Sequence, residues 1–304
     1  MKISVIGAGN VGGLTAMRLA QDNLGEIVLI DIAKGLAHGK ALDLEDARPA
    51  LKFDYKIKGT EDFANIKGSG IIIVTAGLAR KPGMTREELL KKNAEIIKGI
   101  CLEIKRLAPE AIVLMVTNPL DLITYLALKN LQFSPKKVFG VGANLDASRF
   151  ANLIAQELEV SPKEIEACVI GPHGEGMLPL ARFTKVKGEP LTKLINSQKI
   201  QELTQKTVER GAEVVSLLGS GSAYFAPSAA ITEVVSSIVK DKKFPIAVCA
   251  YLNGEYGLKD ICIGVPCEIG KNGIEKIIEL DLTPEEKDLF SKTASNLKNN
   301  LTAL

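Results

Sequence analysis

Lys2-Ile3-Ser4-Val5-Ile6-Gly7-Ala8-Gly9-Asn10-Val11-Gly12-Gly13 opens the chain and decides how the rest is read. Ile3, Val5 and Ile6 make a short β-branched run. Gly7-x-Gly9-x-x-Gly12 follows at once, and Leu14, Met17, Leu19 and Ala20 then recur at near-helical spacing. The pattern is strand, tight turn, helix. Gly7 supplies the turn, Gly9 lets the backbone approach a pyrophosphate, and Gly12 lets the helix lie close on the strand, with phosphates at its positive N-terminal end. Asn10 and Val11 sit in the same turn and join the expected cofactor-binding set. A second apolar run, Ile27-Val28-Leu29-Ile30, ends in Asp31, 19 residues beyond Gly12. A carboxylate there suits the adenosine ribose hydroxyls and repels a 2′-phosphate, so the expected cofactor is NAD rather than NADP. The glycine pattern alone also fits a turn that binds nothing. Strand, helix and acidic residue in this order make it specific.

The chain has 304 residues, enough for two domains or one large one. Its 38 basic and 36 acidic side chains nearly cancel, which gives no indication of nucleic acid or an anionic membrane as partner. No run approaches the roughly 20 apolar residues of a membrane-spanning helix. The first residues enter a core strand, which leaves no room for a signal or transit peptide, and a cytoplasmic location is expected. Five cysteines, Cys101, Cys168, Cys249, Cys262 and Cys267, show no Cys-x-x-Cys and read as reduced thiols. With only two histidines, His38 and His173, no metal site is expected.

Beyond Asp31 the βαβ alternation continues. Gly35 to Leu51 reads as a helix stopping at Pro49, Asp54 to Lys58 as a weak strand and Gly70 to Thr75 as a strong, fully buried one. Thr75 to Arg86 holds Pro82-Gly83 and must be a loop, at the carboxyl end of a strand where open parallel sheets bind ligands, and it carries Arg80, Lys81 and Arg86. Glu87 to Leu107 is a long amphipathic helix. Ala111 to Val116 is a buried strand ending in Thr117-Asn118-Pro119, where Asn118 is held extended or in a turn. A helix from Leu120 to Asn130 and a strand from Lys137 to Gly140 complete a six-stranded dinucleotide-binding unit. A doubly wound, Rossmann-type parallel sheet over residues 1–142 is therefore expected, followed over 143–304 by an α+β substrate domain.

In that second region a helix begins near Asn144. Asp146 and Arg149, spaced i, i+3, face one side, as a local ion pair would. His173 follows a strand and is bracketed by Pro172, Gly171 and Gly174, which keeps a ligand's approach open. Leu178 to Val186, Phe244 to Leu252 and Ile261 to Ile269 read as antiparallel strands of a smaller sheet. Ile200 to Leu218, Pro227 to Val239 and Thr283 to Leu301 read as helices, the last with an N-cap, Pro284 and acid in its first turn.

Along essentially its whole length the chain resembles the lactate/malate dehydrogenase family, most closely the lactate-dehydrogenase-like malate dehydrogenases. The resemblance is carried by Gly7 to Gly12, Ala79 to Arg86, Val116 to Pro119, Leu145 to Phe150 and Gly171 to Gly174. It implies that His173 is the proton acceptor and donor, that Asp146 orients it, and that Arg149 pairs bidentately with the substrate's C1 carboxylate. It further implies that Arg86 polarises the reacting carbonyl, that Asn118 hydrogen-bonds the substrate, and that Asn93 and the backbone of Val116, Thr117 and Asn118 line the nicotinamide side. Arg80 stands where lactate dehydrogenases typically carry Gln, and a cation suits the C4 carboxylate of oxaloacetate. The implied activity is reversible NAD-dependent oxidation of (S)-malate, a tricarboxylic acid cycle step, by a homo-oligomer, dimer or tetramer. Pro172 and Glu175 depart from many lactate dehydrogenases and leave the His-Gly core intact. The rival readings are a lactate or other 2-hydroxyacid dehydrogenase and a non-catalytic NAD-sensing module, which would need none of His173, Asp146, Arg149 or the loop arginines.

Overall fold

The computed structural model describes residues 1–78 and 86–301, and the side chains of all of these but 86 and 87. Six strands, β1 (Lys2–Ile6), β2 (Glu26–Ile30), β3 (Ile57–Thr60), β4 (Ile71–Val74), β5 (Ile112–Met115) and β6 (Val138–Gly140), run parallel in the order β3-β2-β1-β4-β5-β6. The helices between them are α1 (Asn10–Gln21), α2 (Leu36–Asp46), α3 (Arg48–Leu51), α4 (Arg86–Leu107) and α5 (Leu120–Leu131). β4 and β5 are buried at every position, as their continuous β-branched and apolar runs require when helices cover both faces. The strand order reverses between β1 and β4. The crevice outside the carboxyl ends at that reversal is the place where such sheets bind ligands.

The chain continues through α6 (Ala143–Leu158), β7 (Ile165–Glu166), β8 (Val169–Ile170), β9 (Leu178–Pro179), β10 (Lys185–Val186), β11 (Glu189–Pro190), α7 (Leu191–Leu194), α8 (Ser197–Leu218) and α9 (Phe225–Val239). It ends with β12 (Phe244–Asn253), β13 (Lys259–Gly270), β14 (Gly273–Ile277) and α10 (Pro284–Leu301). α10 starts as read from the sequence: the Glu286 N–H donates to Thr283 Oγ1 at 3.2 Å, and the Thr283 N–H donates to Glu286 Oε2 at 2.9 Å, a reciprocal cap.

The antiparallel strands differ from expectation. β12, β13 and β14 form no separate smaller sheet. They extend the parallel sheet past β6, where Cys249 pairs antiparallel with Gly140, to give nine strands. An apolar strand covered on both faces gains more by pairing with the open β6 edge than by leaving that edge bare. Leu178 to Val186 is likewise not one strand: β9 pairs with β8, and β10 joins β7 and β11. The helix read across Gly35 to Leu51 breaks after Asp46, and Pro49 falls in the first turn of α3, where its missing N–H costs nothing. The weak strand lies at Ile57–Thr60 rather than Asp54 to Lys58.

One apolar core packs the sheet against its helices. A smaller one gathers Phe150, Leu153, Ile154, Met177 and Leu203 where α6 and α8 meet. All five cysteines are free thiols, and burial pushes those of Cys101 and Cys168 up to about 12.

The glycine turn shows why three glycines are spaced as they are. Gly7 sits at φ +105°, which side chains rarely adopt, and its N–H donates to Ile30 O at 2.7 Å. A Cβ on Gly12 would lie 1.8 Å from the Gly7 carbonyl oxygen, whereas one on Gly9 would meet nothing within 4 Å. Gly12→Ala is therefore expected to force α1 off the turn at a cost of about 1–3 kcal/mol, and Gly9→Ala to leave the cofactor-free protein near wild type. Urea or thermal denaturation of the two variants side by side checks this, and an equal loss in both would contradict the assignment.

Candidate active site

On the cofactor side, Gly9 caps α1, and Asn10 and Val11 open its first turn, whose N–H groups point out of the helix end. The empty space in front of Gly9 is the room a diphosphate needs, so the turn fits a dinucleotide. The Thr75 hydroxyl, at the end of β4, braces the turn by donating to Gly7 O at 3.0 Å. Asp31 follows β2, and its two oxygens accept from the N–H groups of Ala8 at 2.7 Å and Ala33 at 2.9 Å. Each carboxylate oxygen retains a lone pair for a ribose hydroxyl. The residue thus fixes the glycine turn and faces the expected ligand at once.

The wall of the crevice lies at the ends of β4 and β5. The Val116 N–H donates to Val74 O at 3.0 Å, and the buried Thr117 hydroxyl donates to Ala76 O at 2.6 Å, so both residues hold the two strand ends together. Asn118 is exposed and precedes Pro119 through a cis peptide bond. Asn93, on α4, is only 1% exposed. Its Oδ1 accepts from the Leu78 N–H at 2.7 Å and its amide donates to Asn118 O at 2.8 Å, so its side chain braces the wall from behind.

The charged cluster is built around one buried carboxylate. Asp146, in the first turn of α6 where the helix dipole favours a negative charge, is 1% exposed. Its Oδ2 lies 2.7 Å from His173 Nδ1, and its Oδ1 accepts from Arg149 Nη1 at 3.0 Å. Sequence spacing pairs Asp146 with Arg149 alone. The fold adds His173 from 27 residues away. A carboxylate can only accept, so Nδ1 carries the proton facing it and Nε2 is the atom left to take or give one. Burial is the largest influence and lowers the His173 pKa, but the charge and hydrogen bond of the Asp146 carboxylate, joined by the charge of Asp121, together outweigh it and the Arg149 charge, and the net shift is upward from 6.5.

Two residues that sequence reading did not single out complete the cluster. The Asp121 Oδ2, in the first turn of α5, accepts from the His173 backbone N–H at 2.9 Å. Burial pushes the Asp121 carboxyl up, against the opposing hydrogen bonds from Cys249 and His173. A Cβ on Gly142 would come within 3.1 Å of His173 Cγ and 2.3 Å of Leu120 Cδ2, so only glycine leaves the ring its place. The proximity of Asp121 to Asn118-Pro119 was the only local hint of either role. Arg80 lies outside the described residues, as does the side chain of Arg86.

Among the described residues no three His, Cys, Asp or Glu side chains gather as metal ligands, and no helix is long and apolar enough to cross a membrane. Residues 1–140 match the model of the lactate/malate dehydrogenase NAD binding domain, and residues 143–304 that of the lactate/malate dehydrogenase alpha/beta C-terminal domain. The malate dehydrogenase of Methanosarcina mazei is 48% identical over all of this chain and 99% of its own. The apo malate dehydrogenase of Picrophilus torridus superposes with a TM-score of 0.96 at 43% identity, covering 99% of this chain and 96% of that one. A Cryptosporidium parvum lactate dehydrogenase complexed with lactic acid and the dinucleotide superposes with a TM-score of 0.95 at 40% identity, with 99% and 96% covered. With both halves matched in order and relatives aligned from end to end, the chain belongs to the lactate/malate dehydrogenase family.

Proposed function

We propose that the chain oxidises (S)-malate to oxaloacetate reversibly with NAD, and that His173, Asp146 and Arg149 carry the chemistry in a crevice whose other wall is Asn118. The observation that carries this reading is the single buried Asp146 carboxylate holding His173 and Arg149 side by side. When bound, NAD would supply the acceptor for the hydride of malate C2. His173 Nε2 takes the C2 hydroxyl proton as the hydride leaves, and the Asp146 carboxylate stabilises the imidazolium that results. The Arg149 fork suits the C1 carboxylate, and one of its nitrogens is already oriented by Asp146. Asn118 offers its amide to the substrate oxygen. From the sequence, Arg86 polarises the C2 carbonyl and Arg80 pairs with the C4 carboxylate. Gly7, Gly9, Asn10, Val11, Gly12 and Asp31 hold the adenosine and diphosphate end of NAD, and Val116, Thr117, Asn118 and Asn93 form or brace its nicotinamide side.

The fold alone does not choose between malate and lactate, since solved enzymes of both names superpose equally well. Arg80 and the names of the full-length relatives favour malate. The division into residues 1–142 and 143–304 follows the functional split between cofactor and substrate. A cytoplasmic homo-oligomer, dimer or tetramer, follows from the family resemblance, and the surface exposure of Val215, Leu217, Leu218 and Phe225 supports assembly.

Following NADH loss with oxaloacetate and pyruvate in parallel tests the substrate, and a preference for pyruvate would overturn it. Arg80→Gln should lower efficiency with oxaloacetate about tenfold or more and raise it with pyruvate, since one charge-assisted hydrogen bond contributes about 1.5–3 kcal/mol. If no relative gain for pyruvate appeared, Arg80 would not be the discriminator. On the cofactor side, NADH should be strongly preferred to NADPH, and Asp31→Ser should narrow the gap mainly through weaker NADH binding. Equal efficiency with the two cofactors in the wild type would sink that assignment.

His173→Asn should keep NADH binding, read by fluorescence titration, while costing about 10²- to 10⁴-fold in turnover. Because the folded pKa is raised, the imidazolium needed for oxaloacetate reduction persists above pH 6.5 and is lost only as pH climbs through the higher folded value. Reduction should therefore fall, and malate oxidation rise, across a midpoint above 6.5. A midpoint below it would contradict the role of Asp146.

A further inference from the structure

His173 is gripped twice, and only one grip belongs to the acid–base pair. Asp146 holds the ring. Asp121 holds the backbone, through the 2.9 Å bond from the His173 N–H to Oδ2. The two carboxylates come from different halves of the molecule. Asp146 opens α6, in the half matched as the C-terminal domain, whereas Asp121 lies in the NAD-binding half, three residues beyond Asn118 at the end of β5.

Asp121 is an expensive residue to keep where it stands. It is 5% exposed, and its Oδ1 is buried with no hydrogen-bond partner among the described residues. A buried carboxyl satisfied at one oxygen costs more than an apolar residue of similar size would. Its compensation comes from the Cys249 thiol and from the directed bond of the His173 backbone N–H, and only the latter reaches the acid–base residue. Beside that contact, Leu120 and the His173 ring both lie close against Gly142, where a Cβ would come within 2.3 Å of the one and 3.1 Å of the other.

We propose that Asp121 is a positioning residue that ties the backbone of His173 to the half of the molecule that carries NAD, and so sets the register between proton and hydride transfer. The inference rests on His173 being the base. In malate oxidation the hydroxyl proton passes to His173 Nε2, and bound NAD would supply the acceptor for the hydride released as the C2–H bond breaks. The acceptor of the hydride is carried by one half and the acceptor of the proton by the other, so a tether between halves acts on both at once. A misplacement of about 1 Å in such a geometry costs on the order of 100-fold in rate.

The test compares Asp121→Ala with Asp121→Asn in the full-length enzyme, measuring oxaloacetate turnover, NADH affinity, the melting temperature and the isotope effect with NADH deuterated at the transferred C4 position. Asp121→Ala should lower kcat about 10- to 100-fold with NADH affinity within about twofold, and raise the isotope effect as hydride transfer becomes limiting. Asp121→Asn retains a carbonyl oxygen for the His173 N–H and should restore kcat to within about threefold. If the alanine variant does not fold, Asp121→Ser replaces it, since its shorter hydroxyl also fails to reach the backbone. Normal turnover in the alanine variant, a loss without a larger isotope effect, or an asparagine variant as impaired as alanine would each overturn the tether. Turnover surviving in His173→Asn would instead overturn the acid–base reading beneath it.

Discussion

A charge buried at the Asp146 position has to be paired, and the way it is paired organises the charged cluster around it. Leaving a carboxylate alone in that environment would cost several kcal/mol. Its two oxygens are instead divided between a guanidinium one helical turn away and an imidazole brought in from a distant loop. That division aligns Arg149, selects the tautomer of His173 and raises the ring's affinity for a proton above that of a free imidazole. Position, tautomer and proton affinity follow from one interaction.

The scaffold makes the interaction possible by where its chain ends fall. β1, β4 and β5 deliver the glycine turn, the brace of Thr75 and the Thr117-Asn118-Pro119 wall to the same side of the sheet. The first turns of α5 and α6 then present Asp121 and Asp146 to one histidine, each with its charge at the positive end of a helix. Gly142 between those helices removes the one side chain that would push the ring away. The extension of the parallel sheet by β12 and β13 supports the loop of His173 from the other side, through reciprocal bonds between Gly171 and Gly264.

The parts legible in the sequence were those whose cause is local. Gly7, Gly9 and Gly12 could be assigned separate duties because turn geometry, ligand approach and helix packing each act within a few residues, and the Cβ distances at the three positions support the packing role of Gly12 and the open face of Gly9. The six parallel strands were legible because a run such as Ile71-Ile72-Ile73-Val74 has no stable place except between two covered faces. The start of α10 was legible because an N-cap, a proline at the first position and first-turn acid all act within one turn, and the structure adds the reciprocal bond from the Thr283 N–H to Glu286.

What the sequence by itself determined, then, was the doubly wound nucleotide unit, the carboxylate of Asp31 at the end of its second strand, and the chemical types gathered at the crevice. Only the tertiary structure decided that Asp121 grips the histidine backbone from the other half and that β12 to β14 continue the large sheet instead of forming a small one, and it set Asp146 against His173 as the family resemblance implied but residue spacing could not. Residue spacing governs contacts within a turn or a helix. It carries no information on which sheet edge a strand will join, or on which of several carboxylates a loop 27 or 52 residues away will reach. Those choices are made by the packing of whole elements, where burying an apolar face and pairing a buried charge must be satisfied together.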